Sequence, residues 1–143
     1  MPTVTIDATL HASVPEAFAY ITDYRNVPKW FYGVRTCEPV TEQTTGVGTT
    51  FSVVIQLGAK LKNTVECTVF EENERFEQRA VTGVPTHSTY VFTPTPEGGT
   101  HLRLELEYHL GRGPAGAALS KMVEPLVGMA VRQTTNALIA QLA

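Results

Sequence analysis

At 143 residues, with 43% hydrophobic and 17% charged side chains, the chain is long enough to bury a core without disulfides or metals and too polar for a membrane protein. A net charge of −3, with its 11 Lys and Arg scattered along the sequence, offers no basic field for phosphates and excludes nucleic acid as an expected partner. Cys37 and Cys67 belong to no Cys-x-x-Cys pair, and no apolar run approaches the roughly 20 residues of a membrane span. Reduced thiols, no integral membrane association and a cytoplasmic location are therefore expected, for one domain spanning residues 1–143.

The chain opens with Val4, Ile6, Ala8 and Leu10 alternating against Thr3, Thr5, Asp7 and Thr9, which predicts a strand over 3–11 and not a signal peptide. Ser13 then supplies an N-cap hydroxyl, Pro15 a first-turn proline and Glu16 an acid at the positive helix end, so a short helix is predicted over 14–22. Asp23, Asn26 and Pro28 interrupt it, and a second short helical turn over 24–31 ends in the aromatic cluster Trp30, Phe31 and Tyr32.

From Val34 the pattern turns to β-rich runs at 34–42, 49–57, 60–71, 75–82, 87–94 and 99–109, separated by Gly-, Asn- and Pro-containing turns, the pattern of an antiparallel meander. The last run is clearest: Leu102, Leu104, Leu106 and Tyr108 share one face and His101, Arg103, Glu105 and Glu107 the other. In the run over 60–71, Leu61, Val65, Cys67 and Val69 are read as inward, with Asn63 on the same parity. Lys60, Lys62, Glu66 and Thr68 are read as outward, with Arg75, Glu77 and Arg79 of the next run as surface charge partners. From Pro114 the spacing is helical. Met122, Val123, Leu126, Val127, Met129, Ala130, Thr134 and Leu138 fall on one arc, with Lys121, Glu124 and Arg132 opposite. Pro125 predicts a kink, or a break into 115–123 and 125–142.

This order of elements resembles the START-like (SRPBCC) superfamily, which includes polyketide cyclase/dehydrase-like, coenzyme-Q-binding-like and plant Bet v 1-like proteins. The residues that carry the likeness are Ser13-Val14-Pro15-Glu16-Ala17-Phe18, Asp23-Tyr24 through Pro28-Lys29-Trp30, Thr45 through Phe51, Gly99-Thr100-His101-Leu102 and Pro114. The resemblance implies an α+β helix-grip fold, a seven-stranded curved antiparallel sheet around a long C-terminal helix with two short helices after the first strand. It also implies a cavity for a small apolar molecule, with lipid, quinone and polyketide carriers, cyclases and hydrolase-like enzymes all represented.

The chain has no Gly-x-Ser-x-Gly elbow, His-Glu-x-x-His helix or dinucleotide loop, and no metal or cofactor is expected. Alternation turns Asn63, Gln78, Tyr90 and Tyr108 inward as the polar groups of the cavity, among Phe51, Val53, Val65, Phe76, Phe92 and Leu104. Each polar group equally well bonds a neighbouring backbone atom in a filled core. Trp30 and Tyr32 read either as a lid or as a plug at one end of the core. Met122, Leu126 and Met129 are expected to face the cavity beside the proline.

Two functions follow: binding of a small hydrophobic ligand, or an aromatase/cyclase- or dehydratase-like reaction on a polyketide-type substrate. The second requires an acid–base group in the cavity, and the candidates are His87, Tyr90 and Tyr108, with no carboxylate read as inward.

Overall fold

The computed structural model describes residues 2–143. The strands are β1 (Thr3–Leu10), β2 (Val34–Pro39), β3 (Thr50–Leu57), β4 (Ala59–Glu71), β5 (Arg75–Thr82), β6 (Thr86–Pro94) and β7 (Thr100–Tyr108). They form one antiparallel sheet in the order β1-β7-β6-β5-β4-β3-β2, so the N-terminal strand closes the meander by pairing with the last one. The helices are α1 (Val14–Thr22) and α2 (Val27–Trp30), separated by a 3-10 turn over Tyr24–Asn26, and the long α3 (Gly113–Gln141). This is the helix-grip architecture expected from the sequence.

α1 begins where its capping signals stand: the Ser13 hydroxyl accepts the Glu16 N–H, and Pro15 lies in the first turn. Phe18 then seats edge-on against Phe92 at 5.0 Å and Phe70 at 5.3 Å, anchoring the helix over one end of the sheet. The far end of α3 is tied to the same place. The Ala12 N–H donates to the Leu142 carbonyl at 2.9 Å, and the Tyr20 hydroxyl donates to Gln141 Oε1 at 2.6 Å.

Two expectations are corrected here. Of the kink or break expected at Pro125, the break is not found: α3 runs unbroken through that residue. A proline removes one intrahelical bond, and here the helix carries it on a solvent-exposed face where water can satisfy the freed carbonyl. In β4 the pairing shifts between Cys67 and Val69, so Val69 stands opposite Glu77 while Phe70 faces Phe76. This bulge absorbs Thr68 and reverses the parity beyond it. Phe70, not Val69, therefore joins the core, packing on Phe18 and Phe76.

One glycine sets how closely sheet and helix approach. Gly58, in the β3–β4 turn at φ +71°, lies so near α3 that a Cβ there would sit 2.1 Å from the Met122 carbonyl oxygen. α3 also packs along β1, and between the helix and the sheet's concave face lies a cavity.

Candidate functional site

The cavity has two adjoining chambers. The outer one, of about 130 Å³, lies under the middle of α3. Its walls are Val123, Val127, Ala130, Val131 and Thr134 from α3, Val4 and Ile6 from β1, Leu104, Leu106 and Tyr108 from β7, and Leu57, Leu61 and Val84 near the mouth. The inner one, of about 110 Å³, lies beneath α1 and α2, against Cys37 of β2, Phe51 and Val53 of β3, Val65 of β4, Phe76 and Gln78 of β5, and Ser88 and Tyr90 of β6. Phe31, Ile55, Asn63, Thr86 and Leu106 border both chambers and form the waist between them.

Of the polar side chains at the outer chamber, Asn63, Thr134 and Tyr108 have protein partners, while the Tyr32 and Thr86 hydroxyls bond nothing among the described residues. Asn63, 3% exposed, clamps the β5–β6 turn: its Nδ2 donates to the Val84 carbonyl and its Oδ1 accepts the Val84 N–H, both at 2.9 Å. Thr134 Oγ1 accepts the Tyr32 N–H at 3.0 Å, joining α3 to the segment after α2. The Tyr108 hydroxyl donates to Glu124 Oε2 at 2.9 Å. Burial, and then the neighbouring Glu124 carboxylate, push the Tyr108 phenol up to about 12, so it remains a neutral donor.

The inner chamber is different. Trp30, 2% exposed, borders it, and the indole Nε1 is a buried side-chain nitrogen without a hydrogen-bond partner among the described residues. Tyr90 packs edge-on to Trp30 at 6.2 Å, and burial raises its phenol pKa well above the ordinary value, with Ser88 as its polar neighbour. Burial, followed by the Glu38 charge, likewise pushes the Cys37 thiol up to about 11, keeping it neutral.

Of the residues singled out from the sequence, Trp30, Phe51, Val53, Asn63, Val65, Phe76, Gln78 and Tyr90 border the inner chamber. Tyr32, Asn63, Leu104 and Tyr108 border the outer one. Phe92 borders neither; it is core beneath Phe18. On α3 the cavity stripe is Val123, Val127, Ala130, Val131 and Thr134, so Met122, Leu126 and Met129 are displaced from the walls, and Met122 is 49% exposed. The apolar arc spans about 100° or more, and only the axial rotation of the docked helix selects which part of it faces the sheet.

His87 stands on the outer face, its Nε2 3.0 Å from Glu77 Oε1, and reaches neither Tyr90 nor Tyr108. The adjacent Arg75, and then His87, hold the Glu77 carboxyl below its usual range. Of the charge partners expected on that face, Arg79 meets Glu66 at 3.2 Å across the strands. Glu124, read from the sequence as pointing away, is exposed yet accepts the Tyr108 hydroxyl. Cys37, Ser88, Leu106 and Val131 were missed as wall residues. For Leu106 the alternation was a sufficient signal; for Cys37 the short edge strand β2 gave none.

A curved antiparallel sheet gripping one long C-terminal helix over an apolar cavity defines the START-like, helix-grip class of protein. The chain belongs to the polyketide cyclase / dehydrase and lipid transport family, whose model matches residues 1–143. No curated protein matches it. Among solved structures it is similar to TTHA0849 from Thermus thermophilus, at 23% identity and TM-score 0.80 over 99% of this chain and 97% of that one. It is also similar to the Zhui aromatase/cyclase from a Streptomyces species, at 15% identity and TM-score 0.79 over 99% and 93% of the two chains. A START superfamily protein from Mycobacterium smegmatis matches at 16% identity and TM-score 0.72 over 99% of each. Family and fold support a ligand-binding role, and no helix among the described residues is long and apolar enough to cross a membrane.

Proposed function

We propose that the protein binds one small hydrophobic molecule of the lipid, quinone or polyketide kind in the cavity between the sheet and α3. The observation that carries this reading is the largely apolar outer chamber of about 130 Å³, whose Asn63, Thr134 and Tyr108 side chains are already bonded within the protein. An apolar cavity of about 150 Å³ is enough to hold a benzene-sized molecule. The inner chamber gives the same ligand room to extend.

Native mass spectrometry of the purified protein, before and after gentle unfolding, tests the proposal. A discrete small-molecule adduct lost on unfolding is expected. A ligand at about one hundred times its Kd should also raise Tm by roughly 8 °C, from about 2.7 kcal/mol of linkage in a domain of this size. A bare protein with no thermal shift across fatty alcohols, quinones and aromatic polyketides overturns it.

A second reading, an aromatase/cyclase- or dehydratase-like enzyme, is favoured by the Tyr108–Glu124 pair at the outer chamber. A carboxylate holding a phenol is an acid–base group at the cavity wall, worth about a hundredfold or more in rate where it acts on a substrate proton. If cyclisation or dehydration of a poly-ketone is detected, Glu124→Gln should lower its rate by about that factor; an unchanged rate removes the pair from the chemistry.

A further inference from the structure

Thr22 and Tyr24 border the inner chamber, and the same two residues border a separate surface cleft between α1, the β2–β3 loop and the β4–β5 turn. The wall between these two spaces is therefore thin. The Thr22 hydroxyl is committed to the Phe18 carbonyl at 2.7 Å within α1. Tyr24 is held differently: its half-buried ring stacks on Phe51 at 5.4 Å, and its hydroxyl makes no hydrogen bond among the described residues. The backbone beside it is pinned, because Asp23 Oδ1 accepts the Arg25 N–H at 3.0 Å and the Arg25 guanidinium holds the same carboxylate at 2.7 Å. The ring can thus leave its place by rotation about its own side-chain bonds, with no change of fold and no polar bond to break. Unlike either chamber, the cleft is polar and charged, with Thr44, Thr45 and Asn73 beside Asp23, Arg25 and Glu72. Asp23 and Arg25 neutralise each other, and Glu72 forms no ion pair among the described residues, so the cleft carries one uncompensated negative charge.

From this arrangement we infer that the cavity has a second opening, in which the Tyr24 ring is the door between the inner chamber and the polar cleft. A long-chain ligand then threads the fold, with one end at the mouth under α3 and the other in the cleft. There Thr44, Thr45 and Asn73 meet a neutral hydroxyl end, and Glu72 disfavours a carboxylate. The threading rests on the binding reading above; the opening itself does not.

Cys37 reports on the inner chamber without any ligand, since it stands opposite the inward Val53 and borders that chamber. The folded protein is reacted with two methanethiosulfonates of similar size, the cationic aminoethyl and the anionic sulfonatoethyl reagent. Peptide mass mapping separates label on Cys37 from label on the buried Cys67. Tyr24→Ala should speed labelling of Cys37 by about tenfold or more, and Tyr24→Phe should stay within about twofold of wild type. Leu138→Ala, a truncation at a residue 0% exposed that borders neither chamber nor the cleft, should not reproduce the gain. Glu72→Gln alters an exposed side chain and should lower the ratio of cation to anion rates by about threefold. Equal rates in Tyr24→Ala and wild type, or an equal gain in Leu138→Ala, overturn the door. A ratio untouched by Glu72→Gln places the route elsewhere and overturns it as well, even if Tyr24→Ala does not fold. A second arm titrates wild type with primary alcohols and with α,ω-diols of increasing chain length. Short diols, which leave one hydroxyl inside without water, should bind about tenfold more weakly than the alcohols, and the deficit should vanish at the length that spans both chambers. A deficit at every length overturns the threading. Binding by neither series removes the binding reading and the threading together, and the labelling still decides the opening.

Discussion

The outer and inner chambers share a waist but are built on different terms. In the outer one, Asn63, Thr134 and Tyr108 commit their polar atoms to Val84, Tyr32 and Glu124, and most of what remains toward the space is apolar, with the Tyr32 and Thr86 side chains at its edge. In the inner one, aromatic walls surround an indole N–H with no partner and a glutamine amide that bonds nothing among the described residues. Committed polar groups give stability and shape, whereas uncommitted ones give orientation to whatever enters. The contrast teaches that volume alone does not divide the labour of a pocket. The distribution of satisfied and unsatisfied hydrogen bonds along its walls does.

The sharpest way to break this comparison is at Leu104, 1% exposed in the outer wall opposite Ile6. Leu104→Ala removes packing and enlarges the outer chamber, and should lower the unfolding free energy in urea by about 3 kcal/mol. It should also admit bulkier hydrocarbons. A loss below about 1 kcal/mol means the chamber collapses to fill the space, and that its walls are not a rigid frame.

A smaller effect is expected at Tyr108. Tyr108→Phe leaves the ring in place and removes the bond to Glu124, at a cost of about 1 kcal/mol near neutral pH. The phenol ionises at about 12 in the fold against an ordinary 10.0, so between those values the unfolded chain binds fewer protons than the folded one. Its contribution is thus fully present below pH about 10 and is lost as pH rises through about 12. The wild-type protein should lose stability over that interval, and Tyr108→Phe should lose less. Some decline remains in the variant from Tyr90 and from Cys37 and Cys67, whose burial pushes both thiols up to about 11. Parallel pH profiles for the two proteins, followed by denaturation, would mean that Tyr108 titrates as an ordinary surface phenol.

The smallest effect on stability is expected at Gln78. Gln78→Leu removes an amide that makes no hydrogen bond among the described residues, so the unfolding free energy should move by no more than about 0.5 kcal/mol. A loss above about 1 kcal/mol would show the amide to be structural, and would make the inner chamber resemble the outer one.

The strand periodicity, the Ser13 cap and the turn glycines are local signals, and they determined the element order, the boundaries of α1 and β5, and the inward parity of Gln78, Tyr90 and Tyr108. Val69 escaped that reading because a bulge is a property of two paired strands; one inserted residue reverses the parity of all that follows. The face that α3 presents was equally illegible. Met122 and Val123 lie on neighbouring parts of the same apolar arc, and the close approach of Gly58 to the Met122 carbonyl sets the rotation that turns Val123 inward and Met122 out. Local order was written in the sequence because side-chain period and turn chemistry act over a few residues. The division into two chambers, the unpartnered Trp30 N–H and the reach of Glu124 to Tyr108 were decided only by tertiary packing, because each depends on residues brought together from distant parts of the chain.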